Sequence, residues 1–228
     1  MIRGGTGIFG GTFNPIHVGH LRAAEDAREQ LRLERVIFVP SASPPHKEDA
    51  GGEHSIAPAA ARARWVEAAI AGHAQFEISR VELERRGPSY TVDTLEGFCR
   101  ADAIARPVFV IGHDAFCELD TWHEPERLFE LAHFAVLVRP PASRSPLREW
   151  IPKTLATKLR FSVDGCVAIH PSGGETQVVE ITGLEVSSTE LRRRLRDGRS
   201  IRYLVPEPVR AEVEQTFRAT PAPEPPVE

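Results

Sequence analysis

Short runs of β-branched and aromatic residues recur along the chain at positions 7–9, 36–39, 76–79, 108–111 and 134–138. Between most of them, apolar residues return every three to four positions, the period of a helix with one buried face. Helices are predicted over 19–31, 58–71, 91–100, 125–131 and 146–158. Proline stands at the start of some of these stretches, where its missing N–H costs nothing. Beyond Gly174 the pattern predicts a strand over 178–181, a helix over 188–196 and a last helix over 208–218. Strand and helix in alternation read as an α/β fold built on a parallel sheet. No internal repeat or long linker interrupts it, so residues 1–218 are expected to form one domain with a C-terminal helical part. The Pro-rich, acidic ending, residues 219–228, lacks the apolar surface to fold and is expected to be a disordered tail. Residues 41–55, rich in Ser, Pro and Gly, predict a long loop, and such loops often carry function.

Composition narrows the class without naming it. The 228 residues can bury a core unaided, and 41% hydrophobic with 26% charged residues is ordinary for a globular chain. With 28 Lys and Arg against 32 Asp and Glu, the net charge is −4. No general positive field draws in nucleic acid or anionic lipid, so a bound anion must meet a local site. Cys99, Cys117 and Cys166 form no C-x-x-C pair, which argues against a disulfide framework and a cysteine zinc site. The first residues show no export signal, and runs such as 134–138 are too short to span a bilayer. Reducing cytoplasm is the expected compartment.

The chemistry concentrates in two segments. The first runs Gly10-Gly11-Thr12-Phe13-Asn14-Pro15-Ile16-His17-Val18-Gly19-His20, between the first strand and the first helix. Ligands of open α/β sheets bind beyond the C-terminal strand ends, where a helix N-terminus offers unpaired N–H groups to phosphate. The two glycines allow close backbone approach, and His17 and His20, three apart, share one helix face. Two imidazoles at a positive helix end suit a polyphosphate. Zinc on His17 and His20 is the rival reading, but no further His or Cys cluster with ligand spacing stands out.

The overlapping G-x-G-x-x-G at Gly5 to Gly10 straddles the first strand instead of following it. No acid closes the second strand to hold a ribose, so this is not a dinucleotide-dehydrogenase fingerprint. No Gly-Lys-Ser or Gly-Lys-Thr occurs either, which excludes a Walker loop. The second informative segment is Val186-Ser187-Ser188-Thr189-Glu190-Leu191-Arg192. Its hydroxyls suit a helix cap, and Arg192, one turn inside, can fork onto phosphate oxygens. It opens an Arg-rich stretch whose other members are expected to face solvent.

Together these segments resemble the H-x-G-H and I-S-S-T-x-x-R motifs of the nucleotidyltransferase superfamily. Ser89-Tyr90-Thr91-Val92-Asp93-Thr94-Leu95, Ile111-Gly112-His113-Asp114 followed by Trp122, Pro44-Pro45-His46-Lys47 and Val138-Arg139-Pro140 sharpen the resemblance. With them the chain resembles the bacterial nicotinate mononucleotide adenylyltransferases over roughly residues 6 to 210. The resemblance implies a Rossmann-like, doubly wound parallel sheet in the order 3-2-1-4-5. It also implies adenylyl transfer from ATP to nicotinate mononucleotide, a step of NAD biosynthesis.

By position, the resemblance implies that His17, His20 and Arg192 are catalytic and hold the ATP phosphates. Gly10, Gly11, Thr12, Phe13, Arg139, Ser188 and Thr189 would line the same nucleotide. Gly112 and Asp114 would take the adenosine side, with Asp114 accepting a ribose hydroxyl. Thr91, Trp122, His46 and Lys47 would meet nicotinate mononucleotide, although Thr91 alone would also serve as a helix cap and Trp122 alone as core. His113, His123 and His133 are left as structural or surface residues. Mg2+ would accompany ATP, and positively charged imidazole and guanidinium groups would offset phosphate repulsion. Relatives often carry Asp where this chain has Asn14, so metal ligands stay unassigned. The implied partners are small molecules only, neither nucleic acid nor membrane, and a homo-oligomer is compatible with the sequence. Adenylyltransferases for nicotinamide mononucleotide or phosphopantetheine, and a non-catalytic nucleotide sensor, remain as alternatives.

Overall fold

The computed structural model describes residues 1–43, 56–101, 106–140 and 146–218. The first half of the chain alternates β1 (Thr6–Gly11), α1 (Val18–Leu31), β2 (Arg35–Pro40), α2 (Ala59–Ile70), β3 (Phe76–Ile78), α3 (Val81–Glu84) and α4 (Thr91–Ala101). The central part holds β4 (Val108–Gly112), α5 (His113–Cys117), a 3-10 turn at Leu119–Thr121, α6 (Pro125–Leu131), β5 (His133–Val138), α7 (Leu147–Trp150) and α8 (Lys153–Ala156). The chain then forms β6 (Arg160–Phe161), β7 (Val167–Ile169), β8 (Glu175–Glu180), α9 (Ser188–Arg196) and α10 (Glu207–Phe217).

The strands lie in one sheet in the order β3-β2-β1-β4-β5-β8-β7-β6. From β3 to β8 every pairing is parallel, and β6 and β7 join antiparallel. The expected order 3-2-1-4-5 is therefore present but is extended by three more strands. The interior strands are apolar without alternation because both faces are covered. On one face Ala24, Leu31, Trp65, Leu191 and Val213 bring α1, α2, α9 and α10 onto the sheet. On the other, Leu95, Phe116, Leu128 and Trp150 bring α4, α5, α6 and α7.

The helix expected over 146–158 is two short helices. Ile151 precedes Pro152, and both residues are extended, with ψ 137°. A proline cannot donate to the helix ladder and pushes its predecessor out of the helical region, so the chain breaks there. The expected tail, residues 219–228, lies outside the described residues, as do positions 44–55 of the long loop. No helix among the described residues is long and apolar enough to cross a membrane.

This topology locates a cleft. β1 pairs with β2 on one side and with β4 on the other. The chain leaves the sheet in opposite directions at the ends of these strands, and a crevice opens between them.

Candidate active site

At the end of β1, Gly10 lies opposite Val39 and Gly11 opposite Pro40. A Cβ on Gly11 would come within 3.0 Å of the Phe13 ring. Phe13 itself has a positive φ of 47° and is only 2% exposed. Its ring lies edge-on to Phe9 at 5.8 Å and to His20 at 5.2 Å. The Phe13 side chain is therefore a buried prop beneath the loop, and only its backbone is left for a ligand. The Asn14-Pro15 peptide is cis. The Asn14 amide oxygen accepts the Ala57 N–H at 3.0 Å, which fastens the loop to the lead-in of α2.

His17 occupies the cap position of α1, and His20 stands one turn further. Their rings stack with centroids 3.7 Å apart and planes 20° from parallel, as the i, i+3 spacing predicts. The His17 N–H donates to His20 Nδ1 at 3.2 Å. His17 is 4% exposed, and its own Nδ1 is buried with no hydrogen-bond partner among the described residues. Burial, and secondarily the nearby charge of Arg139, hold its pKa down at about 4. At neutral pH His17 of the ligand-free protein is therefore an uncharged imidazole. An arriving anion would favour its protonation.

Gly19 lies between the two histidines for a steric reason. A Cβ there would sit 2.8 Å from Val186 Cγ1 and 3.1 Å from His17 Nδ1. Its absence lets the lead-in of α9 press against the first turn of α1. Ser187 caps α9, its hydroxyl accepting the Glu190 N–H at 3.2 Å. The Ser188 hydroxyl donates to the Pro15 carbonyl at 2.9 Å. Arg192, 8% exposed, donates from Nη1 to the Asn14 carbonyl at 2.7 Å and from Nη2 to Thr189 Oγ1 at 3.4 Å. Its Nε is buried without a hydrogen-bond partner among the described residues, and burial pushes its pKa below the usual guanidinium value. Segments 178 residues apart thus close into one basic, N–H-rich corner.

Arg139 follows β5, is exposed, and lies near enough to act on His17. Gly112 ends β4 at the cap position of α5 and is exposed. The Asp114 carboxylate is fully open to solvent, 3.2 Å from His113 Nδ1. On the acceptor side, Thr91 is the first residue of α4. Trp122 is half-buried, edge-on to Phe109 at 6.2 Å, and not a sealed core residue. His46 and Lys47 lie outside the described residues. His133 is structural as expected, its Nδ1 accepting the Glu175 N–H at 3.0 Å. His123 is exposed and stacks on Tyr90 at 4.3 Å. Arg62, 1% exposed, escaped the reading of the sequence, although it is a lone charge on the buried face of an Ala-rich helix.

The cytidylyltransferase-like family profile matches residues 8–194. A Geotalea daltonii protein named "probable nicotinate-nucleotide adenylyltransferase" is 42% identical over 89% of this chain and 92% of its own length. A Pseudomonas aeruginosa protein of the same name is 42% identical over 89% of this chain and 91% of its own. The chain belongs to the nicotinate-nucleotide adenylyltransferase family. Among solved structures, a Plasmodium falciparum nicotinic acid mononucleotide adenylyltransferase complexed with NaAD superposes with a TM-score of 0.66. It is 16% identical, with 94% of this chain and 96% of that one covered, and supports the shared fold.

In this adenylyltransferase the buried, neutral His17 makes stability depend on pH. Its folded pKa of about 4 lies below the ordinary 6.5, so between these values the unfolded chain binds a proton that the folded chain does not. Stability should therefore fall as pH drops from 6.5 towards 4. Denaturant unfolding at pH 7 and pH 4.5 should show wild type losing about 2 to 3 kcal/mol more than His17→Gln. Equal losses would mean that His17 is not buried in its neutral form.

Proposed function

We propose that the cleft beyond β1 and β4 transfers the adenylyl group of ATP to the phosphate of nicotinate mononucleotide. The observation that carries this reading is the stacked His17 and His20 pair, closed against Arg192 across the cis Asn14-Pro15 loop. A phosphate oxygen of the mononucleotide attacks the α-phosphorus of ATP. The bond from that phosphorus to the bridging oxygen breaks, and pyrophosphate leaves with its electron pair. The attacking phosphate is already an anion at neutral pH, so no side chain needs to remove a proton. Catalysis reduces to aligning two anions and stabilising charge as it moves onto the leaving group.

The residues divide that work. Backbone of Gly10, Gly11 and Thr12, with His17 and His20, cradles the triphosphate. Arg192 and Arg139 supply positive charge, and Ser188 and Thr189 hold Arg192 and its loop in place. Gly112 leaves room for adenosine while Asp114 accepts a ribose hydroxyl. Thr91 and Trp122, with His46 and Lys47, take the nicotinate mononucleotide.

Among the described residues no three His, Cys, Asp or Glu side chains gather to hold a metal ion. The Asn14 amide oxygen already accepts the Ala57 N–H. A protein cage for Mg2+ is thus not built there, and Mg2+ enters this reading only as the counter-ion that ATP carries on its phosphates. The same reading takes residues 1–218 as one catalytic domain working in the cytoplasm on small molecules, in an assembly compatible with a homo-oligomer.

Pyrophosphate release measured with ATP and each acceptor tests the substrate assignment. Donors placed for a carboxylate lose charge-assisted hydrogen bonds to an amide. The kcat/KM for nicotinate mononucleotide should exceed that for nicotinamide mononucleotide by about 10² or more. Equal values would overturn the acceptor assignment. Trp122→Ala should raise KM for the mononucleotide severalfold to tens of fold and spare ATP, because stacking on the positive pyridinium is similar in ground and transition states. A purely structural Trp would instead cost about 3 to 5 kcal/mol of stability when truncated. A large fall in Tm with an unchanged KM would sink the stacking role.

A further inference from the structure

Arg62 is almost completely buried at the start of α2, yet no carboxylate touches it among the described residues. Its fork is spent on main-chain carbonyls. Nε donates to Ala57 at 2.9 Å, Nη1 to Thr12 at 2.6 Å, and Nη2 to Ser41 at 2.7 Å and Ala42 at 3.3 Å. Thr12 lies in the phosphate loop after β1, and Ser41 and Ala42 open the loop after β2. One planar group therefore fixes the separation of two loops that the functional reading assigns to different substrates. Burial holds its pKa down at about 10, so it stays charged at neutral pH while Glu82 supports that charge from a distance.

The same stretch is gripped from its other side. The Ser89 hydroxyl accepts the N–H groups of Ala42 at 3.0 Å and Ser43 at 3.2 Å, and the Ser89 N–H donates to the Ser43 carbonyl at 3.0 Å. Ser89 also hydrogen-bonds the buried Glu82, whose carboxylate accepts the Thr94 hydroxyl at 2.7 Å. A continuous polar chain thus runs from the phosphate loop, through Arg62 and residues 41–43, to the segment that carries Thr91. A buried guanidinium without a contacting acid is costly unless each donor is satisfied, and here the satisfaction comes from groups around the cleft.

We propose that Arg62 is a positioning residue that sets the distance between the ATP-phosphate loop and the acceptor loop, with Ser89 as its counterpart on the acceptor side. The inference rests on the adenylyl-transfer reading. Lysine keeps the charge but lacks the planar fork, so Arg62→Lys can satisfy fewer of these carbonyls and lets the loops drift apart. A misplacement of about 1 Å is enough to cost of the order of 10² in rate.

Arg62→Lys, Ser89→Ala and the double variant should be assayed with ATP and nicotinate mononucleotide well below each Tm. Equilibrium binding of ATP alone should be measured on the same preparations. Each single variant should lower kcat/KM for the mononucleotide by about tenfold to a hundredfold and leave ATP binding within about threefold. The double variant should lose little more than the worse single, because both residues hold one loop. Ser89→Ala removes one hydroxyl and keeps the test decisive if Arg62→Lys does not fold. Lowered Tm with unchanged kcat/KM, or fully additive losses, would overturn the positioning role. Wild type that releases no pyrophosphate with these substrates would instead overturn the functional reading and this inference with it.

Discussion

Replacing His20 with alanine is expected to lower kcat by about 10² or more while leaving the fold intact, the size typical of losing one preorganised electrostatic donor. His20 is half-buried, so it is not part of the sealed core. It accepts a hydrogen bond from the His17 N–H at 3.2 Å, stacks on His17 and meets the Phe9 and Phe13 rings edge-on. Losing one such bond costs about 1 kcal/mol of stability, well short of the catalytic loss. His20→Asn retains an acceptor near the helix start and separates the two effects: its Tm should approach wild type while kcat stays low. A folded His20→Ala enzyme with nearly normal turnover would contradict the phosphate assignment.

Arg192 carries the second large effect. Its guanidinium donates to the Asn14 carbonyl and adds positive charge in a corner screened from water. Arg192→Met should lower kcat/KM for ATP by about 10² to 10³ and, by removing that buried charge-assisted hydrogen bond, cost about 1 to 3 kcal/mol of stability. Arg192→Lys restores charge without the fork and should recover only part of the rate. Turnover of Arg192→Met within threefold of wild type, measured well below its Tm, would remove Arg192 from the reaction.

The elements with a full helical or strand period were readable in the chain. The 125–131 and 188–196 helices fall where the apolar spacing places them. The five-residue α5 and the two- and three-residue strands β6 and β7 span little more than one period each, too few residues for a repeat to stand out, and they were not expected from the sequence. The break at Pro152 follows from the residue itself, although the apolar spacing runs across it.

The site divides along the same line. Stacking of His17 on His20 follows from their spacing, whereas the Arg192 bond to Asn14 joins residues 178 positions apart and needs the fold. The neutral state of His17 depends on burial, which spacing does not encode. Arg62 stayed hidden because its partners are carbonyls, and every residue type has one.

Movement of an adenylyl group onto a mononucleotide phosphate is visible in the fate of label from ATP. The protein is incubated with nicotinate mononucleotide and ATP carrying labelled phosphorus at either the α or the γ position. The α-label should appear in nicotinate adenine dinucleotide and the γ-label in pyrophosphate, in equal amounts. Transfer of γ-label to the mononucleotide, or release of labelled AMP with no dinucleotide formed, would contradict adenylyl transfer.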